Sequence, residues 1–78
     1  MPKVKRIGPY RLHFWSADRR ERPHVHVERD KQTAKFWLRP VEFDSQRNFS
    51  ERELRRIQVI VEEHEVEILK VWHERFDK

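Results

Sequence analysis

A chain of 78 residues with 18 Lys/Arg, 14 Asp/Glu and no cysteine is limited to a few classes. At this length folding buries only about 60% of the surface exposed by the unfolded chain, which suits one small core and not two domains. The lack of cysteine excludes a disulfide framework and a thiolate zinc site, and no apolar run is long enough to cross a membrane. The N-terminal basic residues are followed by no apolar run, so a signal peptide is not expected and the predicted location is the cytoplasm. The charge is uneven: residues 1–49 hold 12 Lys/Arg against 6 Asp/Glu, whereas residues 50–78 hold 6 against 8. The basic half attracts polyanions as a class, which keeps nucleic acid among the candidate partners.

Residues 1–9 read as a basic lead-in that stops at the turn signal Gly8-Pro9. Tyr10 to Trp15 alternates, with Tyr10, Leu12 and Phe14 on one face of a first strand and Arg11, His13 and Trp15 on the other. The segment from Ser16 to Pro23 is a charged connection. His24 to Arg29 alternates again, with Val25 and Val27 toward a core and His24, His26 and Glu28 on the opposite face. A turn over residues 30–33 leads to a third strand, Ala34 to Arg39, with Ala34, Phe36 and Leu38 inward and Lys35, Trp37 and Arg39 outward. A hairpin closed over Lys31-Gln32 would set Val27 opposite Phe36 and Val25 opposite Leu38. On its other face Glu28 would lie beside Lys35, His26 beside Trp37, and His24 beside Arg39. Val41 and Phe43, after Pro40, suggest a short fourth strand.

Ser50 is a helix N-cap with Glu53 three residues on, the pattern of a capping box, and Phe49 and Leu54 have staple spacing. Leu54, Ile57, Ile60, Val61, Ile68, Val71 and Trp72 then form one apolar stripe. With no Gly or Pro inside it, one helix over 50–76 is predicted, about 40 Å long, with part of it protruding. Val59 and Val66, off the stripe, are ordinary exposed valines or a second seam for a homo-oligomer through this helix. His64, within the stripe, reads as a packed residue without a site role.

The predicted fold is therefore α+β: one domain over 1–78, with an antiparallel sheet of three or four strands over 10–43 and one long C-terminal helix on its apolar face. The polar face is left open with Arg11, His13, Trp15, His24, His26, Glu28, Lys35, Trp37 and Arg39. Four readings of it compete. In the first, aromatic rings stack RNA bases and cations hold phosphates, with Arg11, His13, Trp15, Lys35, Trp37 and Arg39 as the binding set. Metal-independent ribonuclease chemistry would then use His24 or His26 with Glu28 as acid and base, supported by Lys35 or Arg39 as the cation for the phosphate. In the second, His24 and His26 are two ligands of a metal, with His13 or Glu28 as third; the cations nearby disfavour it, and neither metal nor cofactor is expected. In the third, the tryptophans and arginines anchor a protein partner without catalysis. In the fourth, the histidines pack under the tryptophans and function lies elsewhere.

The set Tyr10…Phe14, Pro23-His24-Val25-His26, Ala34-Lys35-Phe36-Trp37-Leu38, Ser50…Glu53-Leu54…Ile57 and Trp72…Phe76 resembles domain-of-unknown-function family 4160. His24 and His26 fall on its most recognisable motif, and Trp37 and Trp72 on its aromatic positions. The resemblance implies a short single-domain bacterial protein, often encoded beside another small protein in a toxin–antitoxin-like arrangement. The predicted function is membership of such a pair, as an RNA-binding or RNA-cleaving toxin; the alternative is a non-enzymatic module that binds its cognate small protein.

Overall fold

The computed structural model describes residues 3–15 and 20–76. Its elements in chain order are β1 (Lys3–Ile7), β2 (Tyr10–His13), β3 (His24–Arg29), β4 (Gln32–Trp37), β5 (Glu42–Arg47), α1 (Glu51–Glu63) and α2 (Glu65–Phe76). The strands form one antiparallel sheet in the order β1-β2-β3-β4-β5, so every neighbour in the sheet is a neighbour in sequence. The α+β class expected from the alternation is present, with five strands and two helices in place of three or four and one. Residues 16–19 of the expected charged connection lie outside the described residues.

Two-residue loops set the registers. Ile7 pairs with Tyr10 across Gly8-Pro9, and Gly8 takes φ +57°, the left-handed conformation that a hairpin loop of this length needs at its first position. Arg29 pairs with Gln32 across Asp30-Lys31, with Asp30 at φ +53°. This loop corrects the hairpin expected over Lys31-Gln32. The observed pairs are His24–Trp37, Val25–Phe36, His26–Lys35, Val27–Ala34 and Glu28–Thr33. The register differs from the expected one by two residues, an even slip, so each side chain keeps its face while its partner changes.

Two further strands correct the sequence reading. The basic lead-in is strand β1, and Lys5 Nζ reaches across to both carboxylate oxygens of Glu67 on α2, at 2.6 and 2.8 Å. That ammonium holds the Glu67 carboxyl below its ordinary range. The expected short fourth strand is the six-residue β5, with all six residues exposed.

The core lies between the sheet and the helices. Leu12, Phe14, Val25, Val27, Phe36 and Leu38 from the sheet side meet Ile57 and Val61 of α1 and Ile68 and Trp72 of α2, all buried. The helix begins as predicted at Ser50, whose Oγ accepts the Glu53 amide at 3.1 Å. The Glu53 carboxylate is turned elsewhere: it accepts the Tyr10 hydroxyl at 2.8 Å and pairs with Arg29 at 2.8 Å, tying α1 to β2 and β3.

The single helix expected over 50–76 is broken at His64. The His64 ring Nδ1 lies 2.9 Å from the Ile60 carbonyl oxygen, and its amide is shared at 3.2 Å between the carbonyls of Ile60 and Val61. A side chain bonded back to the carbonyl four residues earlier competes with the helix ladder, as a polar insertion does in any kinked helix. At 13 and 12 residues, α1 and α2 are each about 20 Å long, and both lay their apolar stripe on the sheet.

Candidate functional site

Strand pairing builds a row of rings across the sheet. His13 pairs with His26 across β2–β3, and His24 pairs with Trp37 across β3–β4. Cross-strand neighbours share a face, so the rings meet. Trp37 lies 5.3 Å from His24, His24 5.1 Å from His26, and His26 5.6 Å from His13, nearly parallel at 19°. Trp15 closes the row edge-on, 5.2 Å from His13. At the other end Trp72 comes from α2 to within 5.3 Å of His24 and also packs against Phe14 at 5.0 Å.

Burial separates these residues. His24 is fully buried and His13 is 4% exposed, whereas Trp15 is 47% exposed. The Nδ1 of His24 lies 2.9 Å from the Arg22 carbonyl oxygen, so this nitrogen carries the proton and donates. His26 is half-buried, flat against His13. Glu28 is opposite Arg11 on β2 and bonded to it at 2.9 Å.

Carboxylates accompany the cations of this face. Besides Arg11–Glu28, Lys35 Nζ pairs with Glu21 at 2.9 Å, and Arg22 reaches Glu42 at 3.5 Å. Arg22 also donates to the carbonyls of Leu38 and Arg39, both at 3.4 Å. Lys35 Nζ and the Arg22 guanidinium lie 4.5 and 5.3 Å from the Trp37 ring centre, and the indole N–H of Trp37 donates to Asp44 at 3.0 Å. Trp37 thus uses its ring and its polar edge within the chain.

Arg39 is placed elsewhere. It lies beyond β4 at φ +64°, its amide donates to Glu65 at 2.9 Å, and its guanidinium is 3.3 Å from His73 Nε2. Its expected neighbour His24 faces Trp37 instead. Of the nine residues predicted for the site, the sheet brings Arg11, His13, Trp15, His24, His26, Glu28, Lys35 and Trp37 to one face and sends Arg39 to α2.

Three residues absent from the sequence reading join the face. His26, Thr33, Lys35, Ser45 and Arg47 line a shallow groove of about 310 Å³ across β3, β4 and β5. Thr33 pairs with Arg47 and Lys35 with Ser45, which makes these side chains cross-strand neighbours. The signal for Ser45 and Arg47 was the parity of β5, hidden because Glu42-Phe43-Asp44-Ser45-Gln46-Arg47 has no apolar alternation, and Thr33 falls at the start of β4 where a turn was expected.

The arrangement bears on several chemistries. A general acid and base must both reach one substrate. His24 is enclosed by Trp37, His26 and Trp72, and Glu28 is held by Arg11. Among the described residues no three His, Asp or Glu side chains converge as metal ligands. No helix among them is long and apolar enough to cross a membrane.

No curated protein and no solved structure matches the chain. A family profile does match, that of the domain of unknown function DUF4160, over residues 10–73. The match runs from the first residue of β2 into the last turns of α2, taking in the ring row and both helices, and the chain belongs to this family.

Proposed function

We propose that this chain is the protein-binding member of a toxin–antitoxin-like pair, and that it holds a small cognate protein against the open sheet face without catalysing a reaction there. The observation carrying this reading is the local neutralisation of the face. Arg11 and Lys35 each have a carboxylate partner at 2.9 Å, so these two cations of the face are opposed where they stand. A face of mixed ion pairs around a half-exposed tryptophan has the composition of a protein interface, where Trp and Arg dominate affinity. Trp15 is the anchor and Arg11 its flank. Binding measured by calorimetry with the product of the adjacent gene is expected to weaken at least tenfold in Trp15→Ala. An unchanged affinity in both Trp15→Ala and Arg11→Ala would sink the reading.

One observation favours RNA as a second reading: the groove between β3 and β5. Two hydroxyls, from Thr33 and Ser45, with Lys35 and Arg47, have the donor set that phosphate oxygens take. In that case affinity for single-stranded RNA falls steeply with salt and the slope drops in Arg47→Ala. Salt-independent or absent RNA binding leaves the protein-binding reading alone.

A further inference from the structure

We propose that the outer edge of β5 pairs with the same edge of a second copy of this chain, antiparallel about a two-fold axis between Asp44 and Ser45, joining two five-stranded sheets into one. β5 ends the sheet, and among the described residues no strand pairs with its outer side. An edge of six residues carries unpaired N–H and C=O groups, a template for another strand.

Charge complementarity selects the occupant. In the two-fold register Glu42 stands opposite Arg47 of the copy, Phe43 opposite Gln46 and Asp44 opposite Ser45. Both ends of the pairing then bring an acid to a base, and a cross-strand pair of opposite charges is favourable where like charges repel. Glu42 is available for this, since its contact with Arg22 is long at 3.5 Å and its side chain is 56% exposed. Asp44 is the bulged residue of β5, and its carboxylate is held by the Trp37 indole N–H at 3.0 Å, away from the incoming strand. The opposite edge of the sheet contrasts with this one. β1 reads Lys3-Val4-Lys5-Arg6-Ile7, and pairing it with itself would set cation against cation.

The apolar surface beside β5 fits the same occupant. Phe43 is 46% exposed and forms one wall of a groove of about 210 Å³ with Phe36, Leu54 and Arg55. Gln46 of the copy, on the same face of the pair, comes to lie over it. The inference stands apart from the open-face reading, because neither Trp15 nor Arg11 takes part.

Charge exchange tests it on the full chain, with size read by sedimentation from micromolar to millimolar concentration and fold checked by circular dichroism. The wild type is expected to be a dimer. Glu42→Lys sets an ammonium against the guanidinium of Arg47, and Arg47→Glu sets a second carboxylate against that of Glu42. Each single variant is therefore expected to dissociate roughly tenfold more readily or worse. Mixing the two single variants restores opposite charges at both ends of a mixed dimer and is expected to bring the dimer back. Combining both changes in one chain restores opposite charges at both ends, and this double variant is expected to dimerise like the wild type. A monomeric wild type overturns the proposal, including the case where an extended peptide of a partner protein binds β5 instead. A dimer indifferent to either reversal, or a double variant that stays folded but does not regain the dimer, overturns it equally.

Discussion

At the scale of single residues, the histidines of the Pro23-His24-Val25-His26 stretch have unequal roles. His24 has no exposed surface, donates from Nδ1 to the Arg22 carbonyl and packs between Trp37 and Trp72. Removing it leaves a cavity and an unsatisfied carbonyl, a loss of about 2–4 kcal/mol. His26 is half-buried on the open face, and its removal is expected to cost less than about 1.5 kcal/mol. Urea unfolding of His24→Ala and His26→Ala checks this; equal losses would contradict the assignment of His24 to the core. Tyr10 gives a second residue-level expectation. Burial, then the hydrogen bond to Glu53 and the charge of that carboxylate, push its hydroxyl above the usual value of 10.0. The folded state therefore favours the protonated phenol. Its stabilisation is present below pH 10.0 and lost as pH rises through the raised value. Tyr10→Phe is expected to cost about 1–2 kcal/mol at neutral pH and to alter the alkaline fall in stability. A fall of the same steepness in both proteins would place its origin elsewhere.

At the scale of elements, legibility followed burial. Strands β2 and β3 could be read face by face because each has one face in the core, and strict alternation records that. The helix start was legible in Ser50, whose side chain can satisfy a first-turn amide by itself. Ser50→Ala is expected to lower the stability by about 1 kcal/mol, read by thermal unfolding. Other features were harder, for different reasons. β1 and β5 are edge strands held by backbone pairing more than by apolar side chains, so period-two hydrophobicity is missing from Lys3–Ile7 and Glu42–Arg47. The β3–β4 register turned on which residue of the loop adopts positive φ, and Asp30 does so where Lys31-Gln32 was expected to turn. The break at His64 has neither Gly nor Pro to announce it; it comes from one ring nitrogen and one carbonyl. Part of the open face was legible, but Arg39 goes to α2, and Thr33, Ser45 and Arg47 joined the face unread. Its ion pairing was not legible, because Glu21, Glu42 and Asp44 come from a loop and from an unrecognised strand.

At the scale of the whole molecule, the helices protect some strands and not others. Hydrogen exchange should be slowest in β3, which is paired on both sides and has Val25 and Val27 at 0% and 1% exposure, and fastest among the strands in β1, the edge of the sheet opposite β5. Uniform protection across the sheet would contradict this. The strand order also has a consequence for synthesis. Because each strand pairs with the one before it, the meander can assemble hairpin by hairpin as the chain emerges, with little loop-closure entropy to overcome. The helices come last. Until they arrive, the face made by Leu12, Val25, Val27, Phe36 and Leu38 has no cover, and a nascent chain stalled before Ser50 would present a flat apolar sheet to its neighbours. For this molecule the hazardous interval of translation is thus the one between the sheet and the helices, and it ends when Ile57, Val61, Ile68 and Trp72 close over the sheet.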